Sequence, residues 1–452
     1  MSLWPAGMPA ILIPTRRCAL TLDAQSIRNH ESALQRAIAW IAGGLFFLLL
    51  PGTFLGAWNL IVITDAQGAA GLDPAWLQAH GHAQIFGWIG SFILGIGFHS
   101  LSKMGGPAGF AARRAWASWA CWTAGVFLCW STNLWPWQWR WMLPASALLE
   151  LSGFLIFFLT VRRHRRPKIR TEDRPQSHVW MIVVFAGTIG FLVSLLANLA
   201  FAIQSAIDGS GPAIAHVPNQ RLLVLFTWAF PVVNIWGFSA RWLPGFLGLR
   251  QANGALLLAA LAINTAAVFG ALAGEWIAAA GLFLLGAVAA AVALAVFAPA
   301  TGPANLAGVH RSFPTFVRIA YVWLLLSAVI SLAAPVWDTS GGIWGASRHA
   351  LTVGYISTMV FAIGQRVLPG FCGMRNLFSP ALMFTALALL NAGCVLRVGS
   401  EIGAYEGHLP WLWPLLPLSA VIEMVAVTAF AANLLLTLKQ PAGQLRQQTA
   451  GG

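Results

Sequence analysis

From Arg36 to Leu438 the chain reads as twelve apolar stretches of about 20 residues or more, each long enough to cross ~30 Å of hydrocarbon as a helix. In lipid every backbone N–H and C=O must be bonded within the protein, which leaves helices or closed barrels. Alternating apolar and polar barrel strands are absent, so the pattern predicts an all-α polytopic membrane protein. Charged residues make up 9% of the 452 and hydrophobic ones 58%, whereas a soluble domain carries about 25% charged residues. The spans fall near 36–62, 79–102, 112–133, 141–162, 178–204, 219–242, 252–273, 276–298, 315–336, 344–368, 377–397 and 410–437.

The net charge of +13 is no nucleic-acid footprint, because its largest cluster, "VRRHRRPKIRTEDR" at 161–174, is a short loop between apolar runs. The tails and the loops after even-numbered spans hold 22 Lys and Arg, and the opposite loops hold four: Arg140, Arg221, Arg348 and Arg397. This bias predicts both termini in the cytoplasm. Residues 1–35 are then an N-terminal tail, 36–438 a membrane domain and 439–452 a C-terminal tail. The first residues lack the ordered charged, apolar and small-residue regions of a signal peptide. On the outer side, "LWPWQWRW" at 134–141 is an interfacial aromatic belt. Five cysteines without C-x-x-C spacing indicate neither a disulfide framework nor a zinc site.

An internal repeat organises the spans. "RWLPGFLGLR" from Arg241 and "RVLPGFCGMR" from Arg366 are identical at seven of ten positions, 125 residues apart. A fainter copy closes span 2: setting His82 against His349, 267 residues on, also pairs Gly87 with Gly354, Gly97 with Gly364 and Gly106 with Gly373. Spans 2, 6 and 10 are therefore equivalent. Twelve helices divide into three pseudo-threefold-related four-helix arcs, at 36–162, 178–298 and 315–438.

Ten histidines occur, and most fall in tails, loops or span edges. His99 lies 17 residues beyond His82, about 25 Å along the helix, and is read as an anchor at the opposite face. His80, His82 and His349 remain. His82 and His349 share a depth on equivalent helices, and ionisable residues inside a bundle point to function. Two such imidazoles can be the axial ligands of a haem iron. Gly87, Gly90, Gly354 and Ala350 are expected to leave room for the macrocycle. His80 points about 200° from His82, toward a second metal, a haem edge or the outer water layer. Haem propionates turned outward want cations, which Arg348, Arg397 and Arg221 supply.

The segments "HGHAQIFG" (80–87) and "HALTVGYISTMVFAIGQR" (349–366) resemble the two signature segments of the NnrS family, bacterial twelve-span proteins that bind haem and copper. The resemblance implies a b-type haem, a place in the bacterial inner membrane, and a role in nitric oxide stress, denitrification or respiratory metal homeostasis. Its implied partners are membrane lipids, nitric oxide and respiratory-chain proteins. The layout is also similar to the catalytic subunit of haem-copper oxidases, whose low-spin haem is held by histidines of spans 2 and 10. By that resemblance His82 and His349 are the ligands, and His80 is a further metal candidate. Two departures bear on copper: Ala83 stands where the NnrS pattern carries an acidic residue, and Phe371 where it carries a histidine. Spans 6 and 7 as placed hold no histidine, and Val224 occupies the repeat position of His82, so an oxygen- or nitric-oxide-reducing centre is not expected. The competing readings are a pseudo-symmetric transporter coupled through Glu150 and Glu423, and a membrane oxidoreductase using haem as electron carrier.

Overall fold

The computed structural model describes residues 24–68, 71–103, 112–163, 178–371, 374 and 376–439. Both far termini and most of the 161–174 basic cluster lie outside them. Among the described residues there is no strand. Eleven helices are long and apolar enough to cross a membrane: α1 Gln35–Ala66, α2 Pro74–Ser100, α4 Pro136–Arg163, α5 Val179–Asp208, α6 His216–Leu247, α7 Gly254–Ala273, α8 Trp276–Ala293, α9 Phe313–Trp337, α10 Gly342–Gly370, α11 Pro380–Tyr405 and α12 Pro410–Lys439. The twelfth, α3 (Ala112–Ser131), carries Arg113 and Arg114 and lacks their apolar density, and it packs along α4. The protein is a multi-pass membrane bundle of twelve helices in three arcs of four.

Local chemistry sets the ends. Asp73 accepts from the Ala75 amide ahead of Pro74, Asn253 from Leu256, and Ser379 from Leu382 ahead of Pro380, each closing a helix start. Gly248 ends α6 in the left-handed region, at φ +68°, where a Cβ would meet the Gly302 carbonyl oxygen at 2.2 Å. This is the reason for the second glycine of "LPGFLG". Its counterpart Gly373 lies outside the described residues.

The inner helices are the repeated ones. The apolar windows of α2, α6 and α10 are 72%, 72% and 67% buried, against 28% for α5 and 33% for α7, so α2, α6 and α10 lie inside the bundle and α5 and α7 at its outside. Each inner helix widens into an eight-residue π segment: Ala83–Gly90, Leu225–Val232 and Ala350–Ser357. Their starts are 142 and 125 residues apart, the spacings carried by the sequence repeat. The π segment of α6 touches those of both α2 and α10, and α12 closes the ring against α1.

Several helix boundaries differ from the sequence expectation. Helix α11 continues to Tyr405, so Arg397 lies two turns inside it rather than at its outer end. Arg397, expected at the helix end, is 4% exposed, and Glu401 one turn further on is 5% exposed. Helix α6 begins at His216, which brings a histidine to its outer mouth. Helix α8 ends at Ala293, five residues early.

Candidate functional site

A cavity of about 790 Å³ opens between the N-terminal halves of the inner helices, α1, α11 and α12. That volume falls within the range of cofactor and ligand sites. Its floor includes Trp88, Phe361, Leu390 and Val427, and its polar walls carry His80, His82, His349, Arg348, Arg397, Glu401 and Glu423.

The three histidines divide between two lobes. His80 turns toward α1, where the π turn around Pro51 presents the Gly52 carbonyl, and Nδ1 of His80 lies 2.8 Å from that oxygen. A carbonyl only accepts, so Nδ1 carries the proton and Nε2 keeps its lone pair. The ring lies against Gly56, where a Cβ would come within 2.5 Å of it. His349 and Arg397 lie within electrostatic reach of this ring. His349 Nδ1 stands 2.9 Å from Glu401 Oε2, which fixes the same tautomer and leaves Nε2 free. His82 faces the other way. Its Nε2 meets Glu150 Oε1 at 2.7 Å, its ring stands edge-on to Phe86, and Cys129 is its further neighbour. Asn198 reaches the second Glu150 oxygen at 3.5 Å.

All three histidines line the cavity, His80 and His349 within electrostatic reach of each other, whereas His82 is engaged by a carboxylate on α4. A bound imidazole commonly donates its second N–H to a carboxylate or backbone carbonyl, and both His80 and His349 have that support in place. On His82 the engaged nitrogen is Nε2, and the remaining Nδ1 is the crowded one beside Cβ.

The arginines divide too. Arg397 is buried, and neither its Nε nor its Nη1 has a hydrogen-bond partner. Arg348 is half-buried and donates to Gln220. Nε of Arg221 is buried without a partner. A desolvated guanidinium with open N–H groups is costly unless an anion satisfies it. Glu401 supplies charge nearby but is turned to His349, and Oε1 of Glu423 is also without a partner.

The small residues have a different use from the expected one. A Cβ on Gly87 would stand 2.6 Å from Phe47, on Gly90 2.5 Å from Trp122 and on Gly354 2.5 Å from Trp323. These glycines admit neighbouring aromatic rings and close the helix packing, rather than leaving space for a macrocycle. Ala350 is fully buried. His99, expected as an interfacial anchor, is buried at the far end of α2.

Sequence reasoning overlooked Glu401 and Gly52 as partners of the histidines, and it overlooked a second repeat. "PWQW" and "SALLE" in α4 recur as "PWLW" and "SAVIE" in α12. The structure gives both copies a one-turn 3₁₀ start, at Pro136–Gln138 and Pro410–Leu412. Gly125 packs on Ser146 and Glu150 as Gly393 packs on Ser419 and Glu423. One turn further along, α3 has Cys129 where α11 has Arg397. The two lobes are thus copies of one arrangement, told apart by that position.

The described residues offer no group of three or more His, Cys, Asp or Glu side chains able to hold a metal ion. Copper has no such ligand set among them. Haem needs only two nitrogens, a flat space and cations for its carboxylates. Two free Nε2 atoms, the cavity and the open guanidinium of Arg397 fit that group.

The fold is similar to that of a haem-copper oxidase. A haem-copper terminal oxidase dimer solved by cryo-EM superposes with a TM-score of 0.54 at 12% identity, over 92% of this chain and 84% of that one. At that identity the likeness is one of fold. No curated protein sequence matches the chain. It belongs to the family described as Domain of unknown function (DUF8744), which matches residues 214–439, half of its length.

Proposed function

We propose that this protein is a haem-binding membrane protein of the NnrS type, acting in nitric oxide stress, denitrification or respiratory metal homeostasis in a bacterial inner membrane. Its low-spin haem is held by His349 and His80, with His82 supporting the bundle through Glu150. The observation that carries the reading is the matched pair of imidazoles, His80 on Gly52 and His349 on Glu401, each with Nε2 free toward one cavity. Arg397, with Arg348 at the mouth, would take the propionates. When bound, such a haem supplies a one-electron couple or a site for diatomic gases. The chain's residues hold its plane, neutralise its carboxylates and, through Trp88, Phe361 and Val427, keep water from its inner edge.

The test is the absorption spectrum of the purified protein, oxidised and dithionite-reduced. Wild type is expected to show a Soret band with sharp reduced α and β bands, lost in His349→Ala and His80→Ala and kept in His82→Ala. Loss only with His82→Ala would return the ligand to that residue. Burial of Glu150 and Glu423, 0% and 7% exposed, favours a second reading, in which carboxylates along the cavity carry protons or ions across the membrane. A colourless protein from haem-replete cells would support that one.

A further inference from the structure

The haem reading leaves unused a groove of about 540 Å³ at the opposite, basic end of the bundle, between the start of α3 and the end of α4. Arg113, Arg114 and Arg163 form its upper wall, and Ala117, Ile156 and Leu159 the wall beneath. All three arginines are exposed, and no carboxylate among the described residues forms an ion pair with any of them. Arg113 and Arg114 are adjacent on α3, and their like charges repel unless an anion lies against them. Arg163 comes from the last turn of α4 and adds a third charge at the same level. An anion in the groove converts that repulsion into attraction.

The lower wall narrows the choice of anion. Leu159 is 43% exposed, at a depth one turn into the hydrocarbon from the guanidinium groups. A free phosphate would use the arginines and leave this wall bare. A phosphodiester with acyl chains matches both halves. We infer that the groove between α3 and α4 binds an anionic glycerophospholipid, its phosphate on Arg113, Arg114 and Arg163 and an acyl chain along Ala117, Ile156 and Leu159. Basic pockets between helices at a membrane face are suited to such headgroups.

The full-length protein in detergent, stripped of lipid, is titrated with dioleoyl phosphatidylglycerol or dioleoyl phosphatidylcholine, and bound copies are counted by native mass spectrometry. Wild type is expected to bind phosphatidylglycerol in preference to phosphatidylcholine. Each arginine near an anionic surface is worth about fivefold, so R113Q/R114Q/R163Q should lose ~100-fold in phosphatidylglycerol affinity. The single variants R113Q and R163Q should each lose about fivefold, which keeps the test open if the triple variant misfolds. Equal binding of the two lipids by wild type would overturn the proposal, as would an undiminished preference in the variants. Displacement of the lipid by millimolar inorganic phosphate would assign the site to a soluble anion instead. None of these readouts depends on haem.

Discussion

Replacing Glu401 by glutamine tests which imidazoles are tuned by their partners. Glu401 Oε2 lies 2.9 Å from His349 Nδ1, and its side chain is 6% exposed, so the bond is shielded from water. The amide keeps the volume and an acceptor oxygen, and only the charge is removed. A hydrogen bond to a charged group contributes about 1.5–3 kcal/mol net and a neutral one about 0.5–1.5, so the loss is about 1 kcal/mol. The carboxylate makes the imidazole a stronger donor, which favours ferric over ferrous iron. If the ~1 kcal/mol is felt in the ferric state alone, the midpoint potential rises by about 40 mV, since 59 mV is tenfold for one electron. Haem affinity should fall about tenfold, at the low end for outer-shell partners. The assay is a redox titration of the purified protein, followed at the reduced α band. Glu150→Gln, which removes the same charge from His82 at 2.7 Å, runs beside it and should leave the potential in place. A rise with Glu150→Gln and none with Glu401→Gln would refute the reasoning and move the iron to His82.

Three further outcomes are expected. Gly354→Ala puts a Cβ 2.5 Å from Trp323, whose indole N–H is tied to Asn391 at 2.9 Å and cannot yield; thermal unfolding in detergent should show a loss of about 1–3 kcal/mol, and an unchanged midpoint would count against that packing. Glu150→Leu strips a buried imidazole of its partner and should destabilise the bundle by about 3–5 kcal/mol, well beyond Glu150→Gln in the same measurement. Gln78→Ala removes both side-chain bonds that clamp Ile214, each 2.8 Å, and should speed amide exchange at Ile214 at the cavity mouth by about fivefold for each ~1 kcal/mol bond lost; unchanged protection would show the segment is held elsewhere.

The helical bundle was legible because hydrocarbon imposes a simple rule on every span, and because the "LPGF" repeat is long enough to fix a register. That register recurs as the spacing of the π segments. The site was legible in part. His80, His82, His349, Arg348 and Arg397 all line the cavity, because a polar side chain in an apolar span is conspicuous. Its partition was not. Sequence gave His80 and His82 opposed directions, but which one faced α10 depended on where α2 is rotated, and a repeat offset carries depth without rotation. Glu401 was hidden by a misplaced helix end, since span 11 was ended at Arg397, one turn short of it. The glycines misled for a related reason: absence of a Cβ marks close approach without saying what approaches, and here Phe47, Trp122 and Trp323 do.

The paired lobes explain why adjacent histidines on one helix would have different duties. Glu150 and Glu423 occupy the same position after the same serine, each packed on a glycine of the preceding helix. Where α3 offers Cys129 in place of an arginine, the carboxylate is left to His82 and Asn198, which answer it with hydrogen bonds. That lobe is then saturated. Where α11 offers Arg397, its charge reaches Glu423, yet the guanidinium keeps open N–H groups. His349 is freed from the Glu423 position and turns to Glu401, one helical turn above Arg397. Only this lobe retains unspent donors together with two unspent imidazole nitrogens. A dianionic macrocycle with a metal at its centre is a ligand that uses both. On the haem reading, the substitution of arginine for cysteine within one repeat would decide which side of α2 carries the chemistry, and would leave His82 to hold α2 against α4.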